Sequence, residues 1–202
     1  MGNATLIRFM AKYKKMKSII LTLVISIFIN LAYSQDKHSY YQNGEIKTTE
    51  TYGTNNQLTQ LKRNYSSGNV MVISKYENDK KVESKYFYTT GELQRLEFYE
   101  HDQKNGQSKK FYRDGTVMEI GEYKNNDKTG EWKWYYKESN LREVTHYVNG
   151  KLTLECKQYH KNGELHKIGE FKNNNKNGDW KVYDRQGKLY LIEKYIDGKK
   201  SG

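Results

Sequence analysis

The residues best suited to chemistry are five histidines and one cysteine, and their spacing does not build a reactive site. The histidines stand at positions 38, 101, 146, 160 and 166, without the spacing of metal ligands. His160 and His166 flank a predicted turn that contains Glu164, which leaves a surface metal site open, although we favour exposed turn residues. The single cysteine, Cys156, excludes an intramolecular disulfide and is expected to be a small apolar residue on a strand.

Recurring carboxylates are the second candidate for chemistry. Glu122 and Glu131 are followed 48 positions later by Glu170 and Asp179. A catalytic acid–base pair needs two carboxylates in differently perturbing environments, so positions that simply repeat are better explained as solvated strand residues. No glycine-rich phosphate loop or serine nucleophile motif accompanies them. The sequence therefore predicts a non-catalytic protein with no cofactor and no metal site.

The third candidate is an aromatic and basic stretch, "WKWYYK". Strand alternation would place Trp132, Trp134 and Tyr136 on one face, with Lys133 and Tyr135 on the other. We favour rings that pack over glycines and neighbouring strands; the alternative is an exposed shelf for a glycan, a lipid headgroup or a partner protein. The candidate binding residues are Trp132, Lys133, Trp134, Tyr135, Tyr136 and, two units further on, Trp180.

Composition limits the kind of fold that can hold these residues. Only 35% of the 202 residues are hydrophobic, yet 14% are aromatic, with 19 tyrosines and no proline. Such a chain cannot fill a thick core, but it can form a thin sheet whose rings cover the backbone while their hydroxyls stay hydrated. Five of the 35 basic residues lie in residues 1–34, so residues 35–202 carry 30 basic and 24 acidic residues. This mixed surface lacks the clustered charge of a nucleic-acid site.

A repeat of 24 residues organises the chain and argues against the disorder that low hydrophobicity would otherwise favour. Its anchors, spaced by 23 or 24 positions, are Gly44, Gly68, Gly91, Gly115, Ser139, Gly163 and Gly187. An aliphatic residue follows two positions after each anchor and an aromatic eight positions after it, as at Val117 and Tyr123. Another ring precedes six of the seven anchors by four positions.

Each repeat unit predicts a β-hairpin. "YRDGTV" and "HKNGEL" place Asp-Gly or Asn-Gly between apolar runs, which is typical of a tight primed turn, whereas "KNNDKTG" favours a looser one. A further aliphatic column, five positions after six of the seven anchors, falls on the opposite face unless a bulge intervenes; we favour apolar stripes on both faces. The predicted fold is all-β: one elongated, single-layer antiparallel sheet of about seven tandem hairpins over residues 35–202, roughly 65–70 Å long.

The N-terminal segment is typical of a secretory signal peptide. Lys17 supplies the positive end, residues 19–31 the apolar run, and Ala32 and Ser34 the small residues of the cleavage site before Gln35. Residues 1–34 are therefore the expected signal peptide, with 1–15 an upstream extension if Met16 is the true start; an uncleaved anchor is the alternative. The mature protein is expected in the periplasm or outside a bacterial cell.

The units at residues 115–135 and 163–183, "G-x-[LV]-x-x-x-G-E-[YF]-K-N-x-x-K-x-G-x-W-K-x-Y", resemble the MORN repeat, in the variant of bacterial YwqK-like antitoxins. The resemblance covers nearly all of residues 40–202 and implies a hairpin sheet that acts as an interaction scaffold or membrane-proximal module, without catalytic residues. We expect an exported scaffold with a protein partner; the alternative is a module that binds envelope glycan or lipid. An unpaired edge is also expected at Leu189–Tyr195, where strand addition or self-association can occur.

Overall fold

The computed structural model describes residues 13–17, a short helical segment, and residues 35–201, a single β-sheet. Most of the expected signal peptide lies outside these residues. Within the described segments, no helix has both the length and the apolar character needed to cross a bilayer.

One antiparallel sheet of sixteen strands accounts for the whole of the repeat region, which confirms the predicted fold class. Its strands are β1 (Gln35–Tyr40), β2 (Ile46–Tyr52), β3 (Leu58–Asn64), β4 (Val70–Glu77), β5 (Lys80–Phe87), β6 (Leu93–Glu100), β7 (Gln103–Phe111), β8 (Val117–Lys124), β9 (Asp127–Tyr135), β10 (Leu141–Val148), β11 (Lys151–Leu152), β12 (Leu154–Tyr159), β13 (Leu165–Lys172), β14 (Asn175–Tyr183), β15 (Leu189–Ile196) and β16 (Lys199–Lys200). Each strand pairs with its neighbours in sequence, except that β10 pairs with both the short β11 and β12.

Two kinds of turn alternate along the sheet, and the sequence prediction assigned them the wrong way round. Between β7 and β8, Tyr112 and Thr116 close a loop in which Gly115 alone has positive φ, at 86°. This is a type I turn followed by a glycine bulge. Between β8 and β9, Asn125 and Asn126 both have positive φ, at 51° and 71°, so the asparagine pair makes the tight two-residue turn.

A bulge at the start of β8 resolves which face each column occupies. Val117 pairs with Phe111 and Ile120 pairs with Lys109, and those two partners lie two residues apart on β7. Val117 and Ile120 therefore share a face although three residues separate them, because the bulge shifts the alternation. Tyr123 lies on the opposite face. The favoured interpretation, without a bulge, was wrong for the aliphatic columns, but apolar side chains do occupy both faces.

A buried row of side chains crosses the middle of one face and forms the core; we call it the central row. It takes one residue from each strand from β4 to β14, leaving out β11: Ser74, Ser84, Glu97, Ser108, Gly121, Trp132, Thr145, Cys156, Gly169 and Trp180. Its three large residues, Glu97, Trp132 and Trp180, are separated by runs of small ones. A Cβ added to Gly121 would lie 2.2 Å from Cδ2 of Trp132, and Gly169 faces Trp180 in the same way. The indole rings thus need the glycines opposite them.

Lysines and rings beside the central row cover it, which is how a single layer buries its side chains. The ammonium group of Lys128 lies 3.8 Å from the centroid of the Trp132 ring and 5.1 Å from that of Tyr147. Lys176 lies in the same way over Trp180 and Tyr195. These cation–π contacts hold the aliphatic lysine stems over the core and leave the charges accessible to water.

A column of tyrosines that the sequence analysis missed ties neighbouring units together. Each hydroxyl donates a hydrogen bond to a backbone carbonyl 22 or 23 residues further on, as from Tyr112 to Tyr135 at 2.8 Å and from Tyr136 to Tyr159 at 2.9 Å. His160 replaces the tyrosine in the next unit, where its Nε2 donates to the carbonyl of Tyr183 at 3.0 Å. The signal was present in the sequence as a ring three positions before six of the seven anchors.

Candidate interaction face

The face opposite the central row carries an unbroken alternation of basic and aliphatic side chains, which we call the lysine row. Adjacent strands pair these residues directly, one from each strand from β3 to β15 except β11: Lys62, Ile73, Lys85, Leu96, Lys109, Ile120, Lys133, Val144, Lys157, Ile168, Lys181 and Ile192. Neighbouring strands lie about 4.8 Å apart, so successive lysines stand roughly 10 Å apart. The row presents regularly spaced lysines on an apolar strip, and three of them lie beside a carboxylate of their own strand: Lys85 beside Glu83, Lys133 beside Glu131 and Lys157 beside Glu155.

Two of the candidate binding residues are buried in the core. Trp132 is 1% exposed and Trp180 is fully buried, each packed against its glycine. Their indole N–H groups donate to the carbonyls of Glu122 and Glu170, both at 3.2 Å. Neither ring offers a surface on which a sugar could stack, and the packing over glycines that we favoured from the sequence is what the structure shows.

Trp134 and Tyr136 also contribute to the sheet itself. Trp134 is half-buried on the face of the central row, with its ring centroid 6.1 Å from that of Trp132. Tyr136 lies in the turn after β9, where its hydroxyl is bound to the carbonyl of Tyr159. The exposed aromatic shelf considered from the sequence is therefore not assembled by Trp132, Trp134 and Tyr136.

Lys133 and Tyr135 lie on the opposite face and line an open groove of about 390 Å³. The groove forms where the pairing of β8 and β9 is interrupted beside Gly121. Its other lining residues are Gln107, Ile120, Gly121, Glu122, Thr129 and Glu131. Of the six candidate residues, these two are the ones that the structure brings together at an accessible site.

An equivalent groove of about 590 Å³ lies two units further along, between β13 and β14. Ile168, Glu170, Asp179 and Lys181 take the places of Ile120, Glu122, Glu131 and Lys133. Four strand spacings separate the two grooves, which is about 19 Å. The recurring carboxylates of the sequence thus line repeated surface grooves.

Ion pairs along single strands set the charge of this face. Lys133 lies 2.7 Å from Glu131, and His146 lies 3.7 Å from the same carboxylate. The hydrogen bond from Lys133 lowers the pKa of Glu131 and, in return, raises the pKa of Lys133. Both side chains are substantially exposed, so the pair adds little stability. Its main effect is to keep both groups charged at neutral pH.

Buried carboxylates on the other face serve the fold. Glu97 is 2% exposed and receives Lys104 at 2.8 Å and the hydroxyl of Tyr99 at 2.7 Å. Burial alone would raise the pKa of Glu97, but these hydrogen bonds and the charge of Arg95 outweigh it and lower the pKa. The carboxylate therefore stays ionised within the core, which is the opposite of the raised pKa that a general acid needs.

The histidine pair and the cysteine are also accounted for. His160 and His166 stack with ring centroids 4.3 Å apart, and His160 occupies the tyrosine position described above. Among residues 13–17 and 35–201, no three histidine, cysteine or acidic side chains converge as metal ligands would. Cys156 lies in the central row, and burial raises the pKa of its thiol to about 12.

The architecture is that of a repeat protein built from tandem hairpins. Four consecutive segments, residues 104–125, 128–149, 152–173 and 176–197, match the MORN repeat variant. They start at intervals of 24 residues, which is the period of the sheet. The matched repeats serve generally as interaction modules for proteins and membranes. A comparison with curated proteins gave no match.

A comparison with solved structures gave matches at low identity and low TM-score. A GtfA/B complex bound to UDP and GlcNAc matches at 10% identity, with a TM-score of 0.25, over 70% of this chain and 24% of its own. TarM matches at 12% identity, TM-score 0.22, over 77% of this chain and 24% of its own. A TcdB2-TccC3-Cdc42 complex matches at 12% identity, with a TM-score of 0.24, over 78% of this chain and 12% of its own. The chain thus spans a quarter or less of each of these proteins.

Proposed function

We propose that the protein is an exported, non-catalytic scaffold that binds a protein partner along the lysine row. The observation that carries this proposal is the unbroken alternation of six lysines with six aliphatic residues on a face that no other element of residues 35–201 covers. Extended sheets of repeat proteins commonly bind partners along one such surface.

The charge pattern defines the partner that would fit. Over twelve strands the row extends roughly 50 Å, with its lysines about 10 Å apart. A partner with acidic side chains at a similar spacing and apolar side chains between them would meet both features. Charge complementarity of this kind speeds association and selects the partner.

Charge reversal on the lysine row tests the proposal. A variant carrying Lys109→Glu, Lys133→Glu and Lys157→Glu should lose proteins that the wild type captures from a cell-envelope extract. The matched control reverses three exposed lysines beside the tight turns, Lys124, Lys151 and Lys172, and should retain them. If both variants, shown by circular dichroism to be folded, capture the same proteins as the wild type, the row is not the binding surface.

The paired grooves favour one alternative, a module that binds envelope glycan or lipid. Tyr135 lines the first groove, and a sugar ring or headgroup seated there would contact Lys133 as well. Replacing Tyr135 with Ala should then abolish binding to a cell-wall polysaccharide or to anionic vesicles while leaving protein capture intact. Binding that is unchanged by this substitution would remove the alternative.

Export is part of the proposal and has its own test. The pattern of positive, apolar and small residues over residues 16–34 supports cleavage before Gln35. N-terminal sequencing of the protein recovered from the periplasm or the medium should begin at Gln35. The finer role of a YwqK-like antitoxin would further require that the protein suppress the lethality of a co-encoded toxin.

A further inference from the structure

Within residues 35–201, the outer edge of β15 is open along most of its length. On its inner side, β15 pairs with β14 from Leu189 to Tyr195, whereas on its outer side only Tyr195 and Ile196 pair, with β16. The carbonyl of Lys194 points outward, because it accepts from the N–H of Ser201 at 2.8 Å. Alternation then directs the N–H and carbonyl of Ile192 to the same side, where no strand of residues 35–201 meets them.

Exposed apolar side chains concentrate on this strand. Tyr190 is 77% exposed and Ile196 64%, and Leu189, Leu191 and Ile192 are exposed as well. The residues that take the place of Ile192 in inner units, such as Ile120 and Ile168, are at least partly covered. A strand edge with unpaired backbone groups and apolar side chains favours pairing with another strand.

Strand β1, at the other end of the sheet, is also open on one side, because it pairs only with β2 within residues 35–201. When the units are aligned by their anchors, β1 corresponds to strands such as β9 and β14, each of which is the second strand of a hairpin. His38 pairs with Thr49 where other units place a lysine of the row, and Lys37 pairs with Glu50 as Trp180 pairs with Glu193. Within residues 35–201, the first strand thus corresponds to the second strand of a hairpin, and β15 to the first strand of another.

We propose that β1 of one copy adds, antiparallel, to the free edge of β15 of another copy, so that the chains join head to tail and continue the repeat. His38 of the incoming strand would lie opposite Ile192, as Lys133 lies opposite Ile120. This register carries Lys37 to Glu193, which gives the joint a pair of opposite charges. The proposal goes beyond the scaffold function and does not depend on the lysine row.

The geometry leaves room for the joint and sets its symmetry. β16 pairs with residues 195–196, whereas in this register residues 37–39 of the incoming strand lie opposite residues 191–193, so the two do not compete. The surfaces that meet are different on the two copies, which makes the contact heterologous. Such a contact repeats from copy to copy, so assembly should produce rings or filaments whose size grows with protein concentration.

Cysteine cross-linking in purified protein tests the register directly. Paired residues on adjacent strands lie within the Cα distance that a disulfide requires. His38→Cys and Ile192→Cys are made in separate chains, mixed and mildly oxidised, and we expect the mixture alone to yield a dimer that contains both chains. Cys156 is buried and does not interfere. A dimer formed by Ile192→Cys alone would show pairing of β15 with itself, and no dimer would show that the edge stays free; either result overturns the proposal.

A second variant separates assembly from folding. Ile192→Pro removes an outward N–H while leaving the pairing with β14 in place. In sedimentation velocity, the mass of the wild type should rise with concentration, whereas the proline variant should sediment as a single chain with an unchanged β-sheet spectrum. A wild type that sediments as a single chain at all concentrations would contradict the proposal.

Discussion

Introducing a side chain at Gly121 should force the Trp132 ring out of the core. The added Cβ would lie 2.2 Å, 2.3 Å and 2.6 Å from three ring atoms. Ordinary carbon–carbon contact begins near 3.5 Å, so the closest overlap is about 1.3 Å. The ring cannot move away easily, because it is buried and its N–H is bound to the carbonyl of Glu122. Gly121 does not have positive φ, so the clash, rather than backbone strain, sets the cost.

The expected loss follows from this overlap. Overpacking of a core typically costs 1–3 kcal/mol, and an overlap with three atoms of a fixed ring places Gly121→Ser near 3 kcal/mol. For a protein of this size, that lowers the melting temperature by roughly 6–12 °C. Trp132→Ser removes the ring and should cost about 3–5 kcal/mol by itself.

The double variant provides the decisive measurement. Ser74 and Ser84 occupy the same two positions in an earlier unit, with their hydroxyls 2.8 Å apart, so Gly121→Ser with Trp132→Ser recreates a pair that the sheet already accepts. Thermal unfolding followed by circular dichroism should show the double variant more stable than the sum of the single losses by about 2–3 kcal/mol.

Two results would refute this reasoning. If the single losses add to within about 0.5 kcal/mol, the two positions do not share one volume. Gly53→Ala is the matched control, since this glycine also lacks positive φ and its new Cβ would meet the methyl group of Thr59 at 3.2 Å and the carbonyl oxygen of Gln57 at 4.0 Å. A loss there as large as at Gly121 would show that any added side chain disturbs the sheet.

Three further predictions concern single groups. Tyr136→Phe removes the hydrogen bond to the carbonyl of Tyr159 and should cost about 1 kcal/mol in thermal unfolding. The lowered pKa of Glu97 means that its contribution is complete above its ordinary pKa of 4.5 and is lost as pH falls further. The urea concentration at the midpoint of unfolding should therefore fall when the pH is lowered below 4.5. This fall should be smaller in the Glu97→Gln variant. Because the thiol of Cys156 is buried with a pKa of about 12, it should react with a thiol reagent at pH 8 only after unfolding.

The sequence predicts the sheet well because the repeat records backbone pairing directly. Seven anchors at nearly constant spacing require equal strands and equal turns, so the number and order of the hairpins follow from counting. Cys156 on a strand follows from the same register, and so does the free edge expected at Leu189–Tyr195, which was wrong only at its end, where Tyr195 pairs with Lys200 of β16. In each case the position of a residue in the repeat is enough to assign it to a strand.

The turns and faces were harder to predict, because their cues are ambiguous within a single unit. Asp-Gly fits a two-residue turn and also a type I turn with a glycine bulge, and only the pairing of Tyr112 with Thr116 decides between them. That bulge then moves Val117 onto the face of Ile120. A side chain can be assigned to a face only after the bulges are known, so the aliphatic columns were misplaced by an otherwise correct register.

The placement of the tryptophans shows why composition suggested a site where the structure has a core. Trp132 and Trp180 appear only in units where the opposite residue is glycine, and the other units use pairs such as Ser74 with Ser84 or Thr145 with Cys156. The central row thus accepts a large ring where the opposite residue has no side chain, and smaller pairs elsewhere. The units therefore differ in their aromatic residues mainly on the face of the central row. The opposite face keeps the lysine and aliphatic alternation from β3 to β15, a regularity that packing of the central row does not require. The proposed partner binding would account for this pattern, which makes the lysine row the surface to test first.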